Sequence, residues 1–178
     1  MLTTVFKLVF AASVVALLSA CGLARTAMDA SVSTAQAVFS TPVETLRLEF
    51  VGPQNLNSAS ADMAALALTT QLRVYQLRDN AGFLKATYEQ LLEPTPTFLK
   101  GDRLDEQALV IRPGDRESLG VPLLPDARFI AVVALFREPG GEPQNWRLAF
   151  TADELDGKLP RTLSLAGDRL TLLPLTEG

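Results

Sequence analysis

The stretch RFIAVVALFR, from Arg128 to Arg137, is apolar at almost every position between its two terminal arginines. A strand with one face in water alternates apolar and polar residues, whereas a strand covered on both faces is a continuous apolar run. The run therefore predicts a central strand of a sheet with both faces covered. The glycines and prolines of EPGGEPQN, residues 138–145, then predict a hairpin loop leading into the next strand.

Shorter strand patterns surround this one. In WRLAF, Trp146, Leu148 and Phe150 fall on one face of a strand, and LRLEF (residues 46–50) alternates strictly, which directs Leu46, Leu48 and Phe50 inward. ALVIRPG (residues 108–114) predicts a strand that ends in a turn at Pro113-Gly114.

The end of the sequence predicts a hairpin. In RTLSLAGDRLTLLPL, residues 161–175, the Gly167-Asp168 pair supplies the turn, and Leu163 and Leu165 then face Leu170 and Leu172 on the opposite strand. This register places all four leucines on one face of the hairpin.

Two stretches in the first half depart from simple alternation. LRVYQL, from Leu72 to Leu77, has strand formers whose apolar residues change face, which a bulge or a strand covered on both faces explains. In FLKATYEQLL, four residues instead form one stripe of a short helix, which Pro94 and Pro96 cannot continue. These residues are Leu84, Tyr88, Leu91 and Leu92. Together the patterns predict a mainly β fold, a two-sheet antiparallel β-sandwich of seven or so strands with one small helical insertion.

The first residues have the layout of a secretory signal. An uncharged apolar run from Leu8 to Ala20 follows Lys7, and as a helix it is about 20 Å long, too short for a typical membrane span of about 30 Å. An ordinary signal peptide or a core helix of a cytosolic protein are the alternatives. Leu18-Ser19-Ala20-Cys21 moreover resembles the bacterial lipobox, which implies that the Cys21 sulfur carries a diacylglyceryl group. Gly22 in place of aspartate then resembles the sorting signal for the outer membrane.

These features divide the chain into a lipoprotein signal peptide (residues 1–20), a lipidated cysteine with an Ala, Ser and Thr-rich tether (21–44), and a β-sandwich domain (45–178). Cys21 is the only cysteine, so no disulfide is expected to stabilise the domain. The charge balance, 16 basic against 20 acidic side chains without a basic stripe, argues against a nucleic acid partner.

Catalytic equipment is sparse. The chain contains no histidine, the commonest general base and metal ligand, so neither an enzyme nor a metal or cofactor site is expected. Two acidic clusters could supply a carboxylate pair for a cell-wall hydrolase, but their turn-like surroundings favour solvated loops. The clusters are Asp102, Asp105 and Glu106, and Asp153, Glu154 and Asp156. Arg137 and Arg147 could form a cationic surface, although a structural role with nearby carboxylates is the preferred interpretation.

The order of several motifs resembles one known family. After the lipobox come Leu56-Asn57, RVYQLRD (residues 73–79), Phe83, RPG, FIAVVALFR and WR, an order similar to that of the outer-membrane lipoprotein of the type VI secretion system, the TssJ family. The similarity covers roughly residues 44–173. It implies a transthyretin-like β-sandwich with a small helical addition, anchored by lipid on the periplasmic face of the outer membrane. It also implies a structural protein that binds the periplasmic C-terminal domain of the inner-membrane protein TssM, and indirectly TssL, without a small-molecule substrate.

The resemblance further implies that the loop between the first two strands contacts TssM. That loop corresponds to residues 52–64, GPQNLNSASADMA, in which amide side chains surround one apolar residue. The predicted partner-binding residues are Gln54, Asn55, Leu56, Asn57 and Ser58. The Ala-rich ADMAALAL that follows (residues 61–68) could form a helical turn. The alternative function is another periplasmic lipoprotein module, either a ligand carrier with an internal cavity or an assembly subunit.

Overall fold

The computed structural model describes residues 43–57, 67–94, 96–139 and 145–175, all within one compact unit that begins at Val43. The predicted signal peptide and nearly all of the predicted tether lie outside the described residues, as do Ser58 and most of ADMAALAL. In the described residues, eight strands form two four-stranded sheets. The predicted mainly β two-sheet sandwich is confirmed.

Sheet A has the strand order β4-β1-β7-β8 and sheet B the order β3-β2-β5-β6. The strands of sheet A are β1 (Thr45–Val51), β4 (Arg116–Pro122), β7 (Arg161–Ala166) and β8 (Arg169–Leu172). The strands of sheet B are β2 (Thr70–Leu77), β3 (Arg103–Ile111), β5 (Phe129–Leu135) and β6 (Arg147–Thr151). Between β2 and β3 lie the helices α1 (Ala81–Lys85) and α2 (Tyr88–Leu92), which we call the helical insertion, and a 3₁₀ turn at Thr97–Leu99; a second 3₁₀ turn, Ala152–Glu154, follows β6.

The alternating patterns place the core as predicted. Leu46, Leu48 and Phe50 of β1 are fully or almost fully buried between the sheets. In the last hairpin, Leu163 pairs with Leu172 and Leu165 with Leu170, the predicted register. Because side chains alternate between faces in a strand, this register follows directly from the positions of the leucines.

The central strand of sheet B is also confirmed. All five inner residues of β5, from Ile130 to Ala134, are buried, because the other sheet covers one face and the helical insertion contributes to covering the other. β2 is buried at seven of its eight positions and shows an irregularity against β3 between Gln76 and Leu77. Coverage on two faces therefore explains the change of face at Val74 and Tyr75, whereas the irregularity lies two residues later and does not.

Two details of the predicted fold are wrong. The strands are not all antiparallel, since β1 and β7 pair in parallel from Leu48 opposite Arg161 to Val51 opposite Ser164. The single helical stripe is two helices instead, because Thr87 begins a new one: its hydroxyl accepts the N–H of Gln90 and its N–H donates to the Gln90 side chain. As a result Leu84 and Leu92 are exposed.

Candidate partner-binding site

Four connections lie together at one end of the sandwich, which we call the loop end. They are the described parts of the β1–β2 loop (52–57 and 67–69), the β3–β4 turn (112–115), the β5–β6 loop (136–139 and 145–146) and the β7–β8 turn (167–168). The compact unit begins at Val43 and β1 runs toward this end, so the chain enters the domain at the opposite end. The β1–β2 loop and the entry point are thus separated by the length of β1.

The β1–β2 loop begins on the β3–β4 turn. The N–H of Gly52 donates to the carbonyl oxygen of Asp115 (3.0 Å), and the N–H of Gly114 donates to that of Gly52 (2.8 Å). Gly52 is required, since a Cβ there would lie 2.8 Å from the main-chain oxygen of Arg112, and a Cβ at Gly114 would lie 2.5 Å from Nε2 of Gln54 and displace that side chain. Gly114 also has a φ of +84°, which favours glycine. The Gln54 side chain therefore lies against the bare backbone of the turn.

Residues 53–57 form a turn that is held by two hydrogen bonds to other loops and by one side chain buried in the core. Asn57 has a φ of +52° and is buried; its N–H donates to the Gly167 oxygen (2.7 Å), and its Oδ1 accepts the N–H of Arg137 (2.8 Å). Asparagine is among the few residues that tolerate this backbone conformation. The side chain of Leu56 is completely buried in the core. The turn consequently presents a fixed conformation at the surface.

The predicted contact residues therefore divide into two groups. Gln54 and Asn55 are exposed at the loop end, whereas Leu56 and Asn57 are buried, and Ser58 lies outside the described residues. The expectation of an exposed apolar anchor at Leu56 is wrong, because burying this side chain under the turn removes it from water. The contact role of the exposed residues stays a prediction.

Sequence reasoning understated the role of Arg147. Its guanidinium is buried and donates to the carbonyl oxygens of Phe83 (2.7 Å), Leu84 (2.5 Å) and Ala86 (2.5 Å), and it lies 4.7 Å from the ring centroid of Trp146. Burial lowers the pKa of Arg147. The preferred structural interpretation is confirmed for Arg147, although its partners are main-chain oxygens and not the expected carboxylates. Arg137, by contrast, is exposed.

Arg73 fixes the second helix in the same way. It donates to the oxygens of Leu91 (3.0 Å), Leu92 (3.2 Å) and Glu93, and its Nε lies 3.9 Å from Glu106. An arginine between the apolar residues Leu72 and Val74 was the available signal for this contact. The same geometry corrects the solvated-loop prediction for the first acidic cluster, because Asp105 and Glu106 lie half-buried in β3.

The described residues offer little that could support catalysis, metal binding or the binding of a hydrophobic ligand. No group of three His, Cys, Asp or Glu side chains there could hold a metal ion, and none of the helices described is long and apolar enough to cross a membrane. A cleft of about 510 Å³ lies at the end opposite the loop end. It is lined by Arg78, Asp79, Pro125, Asp126 and Arg128. Such a charged lining differs from the apolar cavity that a carrier of hydrophobic ligands needs.

Comparison with known proteins identifies the family. The family model described as "Type VI secretion lipoprotein, VasD, EvfM, TssJ" matches residues 44–168. The chain belongs to the type VI secretion lipoprotein family. Members of this TssJ family are structural lipoproteins, so the predictions of the family and of a non-enzymatic role are confirmed. No curated protein sequence matches the chain.

Solved structures agree with this TssJ assignment. A chain in the structure described as "T6SS protein TssM C-terminal domain" from EAEC is 32% identical, with 75% of this chain and 100% of that one covered and a TM-score of 0.66. A chain in the structure described as "Type VI membrane complex" has the same identity and coverages, with a TM-score of 0.69. Lip of Serratia marcescens, described as a membrane bound component of the type VI secretion system, is 21% identical over 74% of this chain and 98% of its own, with a TM-score of 0.63, and shares the fold.

Proposed function

We propose that this lipoprotein anchors the type VI secretion membrane complex to the outer membrane by binding the periplasmic C-terminal domain of TssM, and through TssM indirectly contacts TssL. Chains 32% identical to it occur in structures described as the TssM C-terminal domain and as the type VI membrane complex. The role is structural and involves neither catalysis nor a cofactor.

The positions of two features in the fold support this proposal independently of the family match. The chain enters β1 at one end of the sandwich, and the turn of residues 53–57 lies at the other. A lipid on Cys21 would hold the entry end toward the membrane through the tether. The loop end would then point into the periplasm, where a partner from the inner membrane has to be met. The exposed Gln54 and Asn55 offer amide groups there for hydrogen bonds with TssM.

The anchor is tested by changing Cys21 alone. We expect wild-type protein in bacteria to incorporate labelled palmitate and to fractionate with the outer membrane, because two or more acyl chains hold a protein stably in a bilayer. Cys21→Ser should remove both the label and the membrane association. An unlabelled wild-type protein would contradict the lipid anchor while leaving TssM binding open.

The partner is tested with the mature lipoprotein in detergent and the purified C-terminal domain of its cognate TssM. We expect direct binding, weakened about tenfold by the double change of Gln54→Ala and Asn55→Ala, because both side chains are exposed on a turn that the backbone keeps rigid. Lys100→Ala, an exposed position at the opposite end, is the matched control and should bind as the wild type does. Absence of binding by wild-type protein would overturn the proposed function.

A further inference from the structure

The outer edge of sheet B is protected along only half of its length. β3 is the terminal strand in the order of sheet B, so among the described strands it pairs with β2 alone. Its first half contains Arg103, Asp105 and Glu106, and the Arg103 and Glu106 side chains form an ion pair. Charged side chains on an edge strand discourage another strand from pairing with it.

The second half of β3 carries no such protection. Ala108, Leu109, Val110 and Ile111 are uncharged and apolar, and Val110 is 53% exposed, the highest exposure of any large apolar side chain among the described residues. Leu109 contacts the core and Ile111 is buried, so Ala108 and Val110 face outward. No other described strand pairs with this side of β3, and an edge strand with outward apolar side chains is suited to pairing with an extended segment of another chain.

The end of α2 lies over the outer side of sheet B. Ala108 pairs with Arg73 of β2, and Arg73 reaches over the sheet to donate to the oxygen of Leu92, whose side chain is 45% exposed. The end of α2 therefore lies on the same outer side of sheet B as Val110. We define the apolar edge as residues 108–111.

The apolar edge is continuous with the loop end. Residue 111 leads directly into the turn of residues 112–115. Gly52 forms two main-chain hydrogen bonds with this turn, to Asp115 (3.0 Å) and to Gly114 (2.8 Å), and the Gln54 side chain lies against Gly114. A partner that covers Gln54 would thus lie next to the turn that ends β3. The charged half of β3 lies farther away, toward the opposite end of the sandwich.

We propose that an extended segment of the TssM periplasmic domain pairs with β3 along residues 107–111, with an apolar side chain over Val110. This inference rests on the proposed function and adds a second contact to it. Main-chain hydrogen bonds along the edge supply affinity, and the apolar surface selects alternate side chains of the segment. The β1–β2 turn and the β3 edge would then bind TssM together.

Binding of the TssM domain to the mature lipoprotein in detergent tests the proposal. We expect Val110→Lys to weaken binding about tenfold, since a lysine on an edge strand opposes pairing and leaves the exposed backbone intact. The matched control is Ser118→Lys, an exposed position on β4, the edge strand of sheet A, and it should leave the affinity unchanged. Circular dichroism and thermal unfolding of both variants check that they fold.

Hydrogen exchange of wild-type protein provides a test that needs no variant. We expect backbone amides within residues 107–111 to gain protection in the complex. Unchanged exchange at these amides, or unchanged affinity of a folded Val110→Lys protein, overturns the edge contact. If the double change of Gln54→Ala and Asn55→Ala still weakens binding in that case, the proposed function survives. Protection that is already complete in the free monomer would mean that the chain covers its own edge. Loss of a dimer in Val110→Lys would identify a second copy as the occupant. Either result overturns the proposal, and wild-type protein that fails to bind TssM overturns both.

Discussion

Sheet A and sheet B contain four strands each, but they face different surroundings. Sheet A is half-buried: in β1, Leu46, Leu48 and Phe50 face the core, while Arg47 is exposed. Sheet B is covered on both sides at its centre, and Arg73 and Arg147 there bond the helical insertion through six main-chain oxygens. In sheet A a residue's position in the alternation determines its role, whereas in sheet B nearly every central residue contributes to packing.

The largest expected effect is in the core face of sheet A. Phe50→Ala should lower the free energy of unfolding by about 4 kcal/mol, because it leaves a cavity at a completely buried position. Its neighbour Glu49 points outward and pairs with the exposed Arg116 at 3.2 Å, so Glu49→Ala should change the free energy of unfolding by less than about 1 kcal/mol. Urea unfolding measures both, and effects of equal size would contradict the half-buried description of sheet A.

The second prediction compares outward arginines on the two sheets. Arg73→Met should lower the free energy of unfolding by about 3 kcal/mol, because the carbonyls of Leu91, Leu92 and Glu93 lose their buried donor. Arg47→Met on sheet A also removes a hydrogen bond, to the Gly157 oxygen (2.6 Å), but there water can replace the donor, and we expect a loss below about 1 kcal/mol.

Hydrogen exchange distinguishes a local from a general effect of this change. Amides of α2 should lose protection in Arg73→Met before those of β1 do, since Arg73 bonds the end of that helix. Unchanged protection of α2 would show that the arginine does not hold the insertion in place.

A smaller effect is expected at Asn57, which links the two sheets at the loop end. Asn57→Ala should lower the free energy of unfolding by about 2 kcal/mol, because it removes the acceptor of the Arg137 N–H and places alanine at a φ of +52°. Asn57→Gly keeps the backbone conformation accessible and should cost about 1 kcal/mol. Thermal unfolding of the two variants separates the hydrogen bond from the backbone conformation, and a glycine variant less stable than the alanine variant would contradict this account.

The smallest effect concerns Asp156, in the connection from sheet B to sheet A. Backbone N–H groups of Leu159 (2.7 Å) and Lys158 (2.6 Å) donate to its carboxylate and lower the pKa of Asp156. A lowered pKa in the folded state means that the stabilisation is present above the ordinary pKa of 3.8 and disappears as the pH falls through the lowered value. Wild type should therefore unfold at a higher temperature than Asp156→Asn at pH 7, and the difference should shrink in acid. A difference that grows in acid would contradict this sign.

The sequence determined the parts of the fold that depend on local alternation. The register of Leu163 with Leu172 and the inward face of β1 could be predicted because side chains in a strand change face at every residue. The parallel pairing of β1 with β7 could not, since strand direction depends on the connections between distant elements. The break between α1 and α2 was marked only by Thr87, a capping residue inside a plausible helical stripe.

The candidate site was predictable only in outline. A long polar loop after the first strand indicated an exposed segment, and Gln54 and Asn55 are exposed. The burial of Leu56 was hidden, because one leucine in a polar loop fits both a surface anchor and a side chain inserted into the core. Arg73 and Arg147 bond carbonyl oxygens, and every residue has a carbonyl, so the sequence does not reveal their partners.

The position of β1 has a mechanical consequence. This strand alone connects the end where the chain enters to the β1–β2 turn. It lies between β4, with which it forms seven residue pairs, and β7, with which it forms four. Tension between a lipid in the membrane and a protein held at the turn would pull along the strand axis. The ladder hydrogen bonds lie across that direction, so they would resist shear together instead of opening one after another.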